Sequence, residues 1–331
     1  MEATRDVGRA VDANASLDAR GGGERRAGVG RRAHVGPRVA RSRLTSQKGF
    51  RLESTREMDR PSCSATLDRD GGVAVLTMSR ASRSNAIDAR MWQDLRECIS
   101  FIARASPRAV VVRGEGKNFC AGIDVSDSKT LFSTLGDVGA SCEGRRREAL
   151  ARHIRSLQDV FTALETEIEA PVIACVRGAC YGAGVDLITA CTIRLCGRDA
   201  RFCVKEVDVG ITADVGTLQR LPPIVGFGCA NELALTARVI DAEEAKRIGL
   251  VSEVCEDVEA RAMALAMMLA SKSPLAVRGT KRVLLRARDE PDVARGLNYV
   301  ATHNAAVLMS DDLNESLKAR FEKRAPVYSK L

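Results

Sequence analysis

The stretch PVIACVRGACYGAGVDLITA, residues 171–190, joins two kinds of pattern without a break. Its first half is a short apolar run behind a proline, which is typical of a strand covered on both faces. Its second half, YGAGVDLITA, begins with small residues and continues as a helix. A buried strand that leads directly into a helix indicates an α/β domain.

The rest of the chain repeats this alternation of strands and helices. The run AVVV, residues 109–112, predicts a second covered strand, and a glycine-containing turn, NFCAGIDV, follows it at residues 118–125. Upstream, RDGG separates residues 64–68 from 73–79, which is the signature of a hairpin. The remaining predicted elements are helices at 88–105 and 143–169, short strands at IRLCG and ARFCVK, and a mostly helical region at 216–330.

Composition divides the chain into three parts. Residues 1–57 are rich in Arg, Gly, Ala and Ser and have no sustained apolar period, so we expect a disordered basic leader. The segment could also be a mitochondrial transit peptide, which its scattered acidic residues oppose, or translation could start at Met58. Residues 58–255 are predicted to form the α/β core, and residues 256–331 a C-terminal helical region.

The formal net charge of +8 at pH 7 raises the question of nucleic-acid binding. Residues 1–60 contain 14 Lys and Arg against 8 Asp and Glu, a net charge of +6, which leaves +2 for the other 271 residues. A nearly neutral body argues against a basic face, so we expect no nucleic-acid partner. No apolar run approaches the roughly 20 residues that cross a bilayer, so we expect no membrane span.

The eleven cysteines and three histidines show no spacing that would bind a metal ion. There is no C-x-x-C pair, and the histidines are far apart in the chain. Five cysteines lie in apolar stretches, where a free thiol behaves as a small apolar group: Cys175, Cys180, Cys191, Cys196 and Cys203. The sequence therefore predicts reduced, buried thiols and no metal site.

Three carboxylates lie among apolar residues in the second half of the core. Asp186 is inside the helical GVDLITA, Glu206 follows the strand ARFCVK, and Asp214 lies between an alanine and a valine. We expect these side chains to be buried, and a buried carboxylate must be paired, protonated or used in chemistry. Acids beside turns that offer free backbone N–H groups suit proton abstraction next to a carbonyl.

Four stretches taken together resemble the enoyl-CoA hydratase/isomerase superfamily, also called crotonase-like. They are FCAGID, ACYGAGVDLITAC, VKEVDVGITADVGTLQRLP and ALTARVIDAEEAKRIGLVSEV, and the resemblance covers roughly residues 64–330. The third stretch is most similar to the Δ3,5-Δ2,4-dienoyl-CoA isomerases of that superfamily. The resemblance implies a crotonase-like spiral core of repeated ββα units and a C-terminal helical region for assembly as a homotrimer or homohexamer.

The resemblance also implies an activity, the conversion of a 3,5-dienoyl-CoA to the 2,4-dienoyl-CoA in fatty-acid β-oxidation. The backbone N–H groups of Ile123 and Ala183 would form an oxyanion hole for the thioester oxygen of this acyl-CoA substrate. Glu206 would remove a proton at C2, Asp214 would deliver one at C6, and Asp186 would tune the pair. No cofactor is implied, since coenzyme A is part of the substrate.

Four residues are implied as contacts of the CoA moiety: Arg83, Gly122, Asp124 and Lys323. Arg83 and Lys323 are equally consistent with ordinary solvated surface charges. The chain departs from the family at Ala183, where glycine is usual. Alanine keeps the N–H group, but it tolerates fewer backbone conformations than glycine does.

Two alternative functions stay open at this point. Asp186 and Glu206 could share a water molecule, as in a 2-enoyl-CoA hydratase, but hydratases typically carry glycine where this chain has Asp214. A non-catalytic RNA-binding protein of the same fold is the other alternative, and the neutral body of the chain opposes it.

The last three residues, Ser329, Lys330 and Leu331, match the S-K-L peroxisomal import signal. We therefore expect an import receptor as a partner, and the signal must be free for that receptor to bind it. This expectation favours a peroxisome, or a related organelle such as a glycosome, over the mitochondrion.

Overall fold

A long mixed sheet forms the centre of the described part of the chain, which comprises residues 54–68, 72–126 and 142–330 of this computed structural model. The sheet begins with an antiparallel meander and continues with parallel strands. In spatial order its strands are β1 (Ser54–Asp59), β2 (Cys63–Asp68), β3 (Val73–Met78), β4 (Ala109–Gly114), β5 (Val172–Val176), β7 (Ile193–Gly197) and β10 (Glu253–Cys255).

A smaller sheet lies beside it and consists of β6 (Ala179–Tyr181), β8 (Arg201–Cys203) and β9 (Ile240–Asp241). β5 and β6 follow one another in the chain but lie in different sheets, and so do β7 and β8. Each pair of strands then leads into a helical segment, which is the repeated ββα unit that the sequence resemblance implied.

Helices cover the sheets and make up most of the C-terminal part. They are α1 (Ala89–Ala105), α2 (Glu143–Thr166), α3 (Ala183–Thr189), α4 (Thr217–Arg220), α5 (Pro222–Val225), α6 (Phe227–Thr236), α7 (Ala242–Arg247), α8 (Val258–Ala270), α9 (Pro274–Asp289), α10 (Val293–Val307) and α11 (Asp311–Phe321). Among the described residues, none of these helices is long and apolar enough to cross a membrane.

Side chains of the central strands alternate between two apolar clusters. Val110 and Val112 of β4 pack in the cluster that contains the buried faces of α1 and α2, while Val111 packs in the cluster beneath α8. Successive side chains of a strand point to opposite faces, so a continuous apolar run requires cover on both sides. The prediction of a covered strand at AVVV is confirmed.

The helix boundaries follow from local hydrogen bonds as well as packing. The side chains of Asp88, Asp257, Ser273 and Asp292 each accept a hydrogen bond from a backbone N–H in the first turn of the helix that follows. Such caps satisfy donors that have no partner inside the helix. α2 ends at Thr166, ahead of Pro171, close to the predicted end at residue 169.

Parts of the predicted leader, hairpin and import signal lie outside the described residues. Residues 1–53 of the predicted leader lie outside the described residues, and β1 occupies its last four positions, 54–57. Leu331 of the predicted import signal also lies outside them, and so do residues 69–71 of the hairpin turn. α8 belongs to the predicted C-terminal region, yet its buried face packs against the large sheet.

The predicted burial of the five cysteines in apolar stretches is confirmed. Cys175, Cys180, Cys191, Cys196 and Cys203 are all buried and unpaired by disulfides. Burial raises the pKa of the Cys191 and Cys196 thiols to about 12, so both are neutral small side chains in the core at physiological pH.

Candidate active site

The first glycine-containing turn, residues 118–125, follows β4 and is hydrogen-bonded to two other segments. The Ile87 N–H donates to the Gly122 carbonyl at 2.8 Å, and the Asp124 N–H donates to the Ile87 carbonyl at 2.9 Å. On the other side, the Cys120 N–H donates to the Ala179 carbonyl at 3.0 Å. The Ile123 N–H has no acceptor among the described residues.

The second turn joins β6 to α3 through Gly182. This glycine has φ +48° and ψ −119°, a conformation that strongly favours glycine, and Ala183 opens the helix with a negative φ. The backbone strain therefore falls on Gly182, so alanine fits at position 183 without difficulty. The Ala183 N–H has no acceptor in the described part of the chain, as expected for the first residue of a helix.

The two turns lie against each other. A Cβ atom added to Gly122, whose φ is +96°, would lie 3.1 Å from the Tyr181 carbonyl oxygen and 3.8 Å from the Ala183 nitrogen. The two unoccupied N–H groups thus belong to one small region of backbone. Paired N–H donors of this kind can stabilise an oxygen that gains negative charge during a reaction.

Asp186 lies one turn into α3 and is completely buried. Its Oδ1 accepts a hydrogen bond from the Thr217 N–H at 2.6 Å, while its Oδ2 has no partner among the described residues. Burial first, and then the charge of Glu206, raises the pKa of the Asp186 carboxyl to about 7. The group is therefore poised to change its protonation state near neutral pH.

Glu206 begins a short 3₁₀ helix, Glu206–Val209, after β8, and its side chain is buried. A Cβ atom added to Gly182 would lie 3.4 Å from Glu206 Oε1, which places this oxygen next to the second turn. Oε2 has no hydrogen-bond partner in the described residues. Burial, and to a smaller extent the charge of Asp214, raises the pKa of the Glu206 carboxyl, which makes its ionised form a stronger base.

The expectation that Asp214 is buried is wrong, because the residue is exposed. Its neighbours Ala213 and Val215 are 6% and 7% exposed, so burial alternates along these three residues. Apolar neighbours therefore do not imply a buried Asp214. The side chain still interacts with the other two acids, and the surrounding protein raises the pKa of the Asp214 carboxyl.

The residues predicted to contact CoA are not equally close to this site. Gly122 and Asp124 flank Ile123, but the Asp124 carboxylate already binds Ser126 and, at 3.1 Å, the Arg80 guanidinium. These contacts, the Ser126 hydroxyl first, lower the pKa of the Asp124 carboxyl. Arg83 is exposed after β3, and Lys323 is exposed beyond α11. The CoA contacts of all four stay predictions.

Several residues of the site escaped the sequence analysis. Thr217 holds Asp186, and the Gln158 side chain on α2 donates to the Asp214 carbonyl at 2.6 Å. The rise in the pKa of the Asp214 carboxyl comes mainly from partial burial, and the nearby His153, on the same helix, opposes that rise. No motif marks these positions, because the contacts join segments more than 30 residues apart. Across the described residues, no cluster of three or more His, Cys, Asp or Glu could hold a metal ion.

Comparisons with known proteins show the family to which the chain is similar. The chain matches the enoyl-CoA hydratase/isomerase family over residues 68–330. It is 47% identical over 266 residues to the peroxisomal Δ(3,5)-Δ(2,4)-dienoyl-CoA isomerase of Arabidopsis thaliana, covering 79% of this chain and 94% of that relative. It is 46% identical over 258 residues to the mitochondrial Δ(3,5)-Δ(2,4)-dienoyl-CoA isomerase of Homo sapiens, covering 76% and 77%. The crystal structure of an enoyl-CoA hydratase from Bacillus anthracis superimposes with a TM-score of 0.69 at 28% identity, covering 82% and 98%.

Proposed function

The chain belongs to the enoyl-CoA hydratase/isomerase family, and from this we propose that it is a Δ3,5-Δ2,4-dienoyl-CoA isomerase of fatty-acid β-oxidation. The observation that carries the proposal is the third carboxylate. Asp214 interacts with both Asp186 and Glu206, beside two N–H groups that have no acceptor among the described residues. One bound thioester would then contact an oxyanion site and two separate acid–base groups, Glu206 and Asp214.

The proposed reaction moves two double bonds and one proton. The thioester oxygen binds the N–H groups of Ile123 and Ala183, and Glu206 removes a proton from C2. The electrons form C2=C3 and C4=C5, and Asp214 donates a proton to C6, which gives the 2,4-dienoyl-CoA. Glu206 then returns its proton and Asp214 regains one through solvent, so the enzyme ends as it began.

Stabilisation of the dienolate is the main contribution of the backbone. Removal of one oxyanion donor typically costs about 3–4 kcal/mol of transition-state stabilisation. The hydrogen bonds that clamp residues 120–124 keep the two N–H groups in place before the substrate arrives. Preorganisation of this kind avoids reorientation during the reaction.

Asp186 serves the reaction through its protonation state. Its buried carboxyl interacts with Glu206, and close carboxylates shift each other's pKa values. A protonated Asp186 leaves Glu206 as the ionised member of the pair, which is the form that can accept the C2 proton. No cofactor takes part in the proposed reaction.

A 2-enoyl-CoA hydratase is the second candidate function. Asp186 Oδ2 and Glu206 Oε2 are buried and lack partners in the described residues, so they could hold a water molecule between them. The acidic group at position 214 favours the isomerase, since hydration of a 2-enoyl thioester requires no proton donor at C6.

Assembly as a homotrimer or homohexamer is part of the proposal. None of the residues of α10 is buried within the single chain, and Leu284, Leu297 and Met309 on and after α9 and α10 are 63%, 66% and 91% exposed. Apolar surface of this kind supports burial against other copies of the chain. In such an assembly Lys323 could contact the CoA of a neighbouring subunit, while Arg83, Gly122 and Asp124 contact the CoA of their own.

For localisation we propose a peroxisome or a related organelle such as a glycosome. The Arabidopsis relative is named peroxisomal and the human relative mitochondrial, so both organelles occur among similar proteins. Ser329-Lys330-Leu331 supports the peroxisome and an import receptor as partner. The carbonyls of Tyr328 and Ser329 accept hydrogen bonds from Arg108, so the receptor would have to bind beyond that point or displace it.

The test of the proposed function is direct. Purified protein is mixed with a 3,5-dienoyl-CoA, and the conjugated 2,4-dienoyl thioester is followed by its ultraviolet absorbance and by mass, which does not change in an isomerisation. A parallel reaction with a 2-enoyl-CoA measures hydration, which adds the mass of water. Hydration without isomerisation would assign the hydratase, and the absence of both reactions would overturn the proposal.

A further inference from the structure

The segment Asp214–Thr217 performs two tasks and has little apolar support on one side. It carries the proposed acid, Asp214, and it provides the Thr217 N–H that holds Asp186. A polar cavity of about 410 Å³ adjoins it and is lined in part by Gln158, Glu165 and Arg288. Close apolar packing therefore does not fix this side of the segment, and polar contacts must do so.

Arg220, at the end of α4, supplies the main contact from the cavity side. A Cβ atom added to Gly216 would lie only 1.9 Å from Arg220 Nη1, so the guanidinium rests directly on the glycine backbone. Gly216 has φ +126°, which positions its backbone for this contact and which other residues rarely adopt. The segment therefore contacts the Arg220 guanidinium at Gly216 and the Asp186 carboxylate at Thr217.

The guanidinium is itself held by α2. Arg220 Nε donates to Glu165 Oε2 at 3.1 Å, and Nη2 donates to the Thr162 hydroxyl at 3.1 Å. The Arg220 and Glu165 side chains are only 11% and 6% exposed. The other carboxylate oxygen of Glu165 accepts a hydrogen bond from Arg288 of α9. Two nitrogens of Arg220 therefore bind a neighbouring helix, and the third lies against Gly216.

We propose that the buried Arg220–Glu165 pair is a positioning device for Asp214 in the isomerase reaction. The inference rests on the proposed function. Neither residue touches the reacting carbons. The pair acts through Gly216, two residues from Asp214, and sets the distance between the acid and C6. Glu206 lies on a different segment, so the pair affects proton removal at C2 only indirectly, through the Thr217 N–H that holds Asp186.

The experiment compares two steps of the reaction in Arg220→Gln. Exchange of the C2 proton with solvent deuterium reports Glu206, and formation of the 2,4-dienoyl product reports Asp214 as well. Displacement of a catalytic group by about 1 Å can cost on the order of 100-fold in rate, so we expect product formation to fall about 10- to 100-fold. We expect C2 exchange to stay within about threefold of the wild type.

Arg278→Gln is the matched control. Arg278 is 12% exposed, pairs with Glu169, and donates to the Ser106 and Pro107 carbonyls, far along the chain from residues 214–217. Its removal leaves Glu169 paired with Arg282, just as Arg220→Gln leaves Glu165 paired with Arg288. Equal losses of product formation in the two variants would overturn the proposal.

Two further variants separate positioning from general damage. Thr162→Val removes a single acceptor from Arg220 and should show the same split between the two steps with a smaller loss, about two- to fivefold. Arg220→Gln added to Asp214→Asn should cause no further loss, since the carboxyl that the pair positions is absent. A multiplicative loss in the double variant, or parallel losses of exchange and product in both single variants, would contradict the inference. If the wild type forms no 2,4-dienoyl product, the proposed function fails and not the positioning role.

Discussion

At the scale of the residue, the chemistry depends on which of three acids holds a proton when the substrate binds. Burial raises the pKa of the Asp186 carboxyl to about 7 and raises that of Glu206, and partial desolvation raises that of the more exposed Asp214. All three acids therefore hold protons at a higher pH than free carboxylates do. An enzyme that must both accept and donate a proton near neutral pH requires such groups.

Asp214→Asn should abolish most of the isomerase activity. Asparagine has nearly the same shape, but it cannot donate a proton to C6, and general acid–base groups contribute about 10²–10⁴-fold to the rate. Product formation from a 3,5-dienoyl-CoA measures the loss. Exchange of the C2 proton should persist, because Glu206 is unchanged. Wild-type turnover in this variant would remove Asp214 from the mechanism.

Glu206→Gln is the complementary variant and should stop the exchange of the C2 proton with deuterium. Glutamine cannot act as the base, and burial still raises the pKa of the Asp186 carboxyl in this variant, which leaves Asp186 only partly ionised near neutral pH. Nuclear magnetic resonance of the recovered substrate measures the exchange. Persistent exchange would show that a different residue, with Asp186 the nearest, removes the proton.

Asp186→Asn should stabilise the protein at pH 8 and have little effect at pH 4. The folded-state pKa is raised from 3.8 to about 7, so between these values the folded state keeps a proton that the unfolded state has released. Folding stability therefore falls as the pH rises through this window, and above pH 7 the whole penalty is present. At about 1.4 kcal/mol per pKa unit the gain has an upper bound of roughly 4 kcal/mol.

Urea denaturation of both proteins at pH 4 and pH 8 measures this gain. The amide oxygen of asparagine can still accept the Thr217 N–H, so the hydrogen bond is preserved in the variant. Equal stability of the two proteins at pH 8 would mean that the carboxyl is not desolvated as its burial implies.

At the scale of the element, local patterns predicted the strands and helices well, because each local rule agreed with the packing. The AVVV strand, the antiparallel strands before and after RDGG, and the helix after Asp88 lie where their sequence patterns place them. The contacts between distant segments could not be predicted. Thr217 binds Asp186 and Arg220 binds Glu165 across 31 and 55 residues, and neither contact leaves a periodic signal in the sequence.

The burial of the three carboxylates was likewise predicted only in part. Asp186 and Glu206 were expected to be buried and are buried, since a helix interior and a strand end are covered in an α/β fold. Asp214 was expected to be buried and is exposed, although Ala213 and Val215 on either side of it are buried. Burial follows from sequence only when the local conformation is known.

Removal of β1 should destabilise the fold, whereas removal of the residues ahead of it should not. β1 pairs with β2 along the edge of the large sheet, and Met58 packs against the core. A chain that begins at Arg60 would expose the edge of β2, which favours aggregation. A chain that begins at Ser54 keeps the pairing and is the matched control. Thermal unfolding and light scattering of the two chains test this, and equal midpoints would contradict it.

At the scale of the whole molecule, the C-terminal helices present more apolar surface than a single chain covers. α10 has no buried residue, and the side chains of Leu284 and Leu297 are mostly exposed. Closed symmetric assemblies are the usual means of burying such a surface. The same helices contain Arg288, which contacts Glu165, so assembly and the arrangement of the active site share a helix.

We predict that light scattering at micromolar concentration will give the mass of three or six chains. Leu284→Glu combined with Leu297→Glu should shift the mass toward a single chain, because charges are strongly disfavoured in an apolar interface. Leu235→Glu, at a site 73% exposed on α6, is the control and should leave the assembly intact. A stable and fully active single chain would contradict the prediction.

The burial of the thiols has a practical consequence for the study of motion in this protein. Nine of the eleven cysteines are buried, Cys229 is partly exposed, and Cys142 is exposed. A thiol reagent applied to the native protein should label Cys142 first, and the buried thiols only as fast as their surroundings open. Mass spectrometry of the labelled peptides would then give opening rates for the large sheet, for the residues just after α3 that include Cys191, and for the turn that contains Cys120, without any engineered probe. Slower labelling of Cys120 in the presence of an acyl-CoA would measure how far a bound thioester rigidifies the backbone around it.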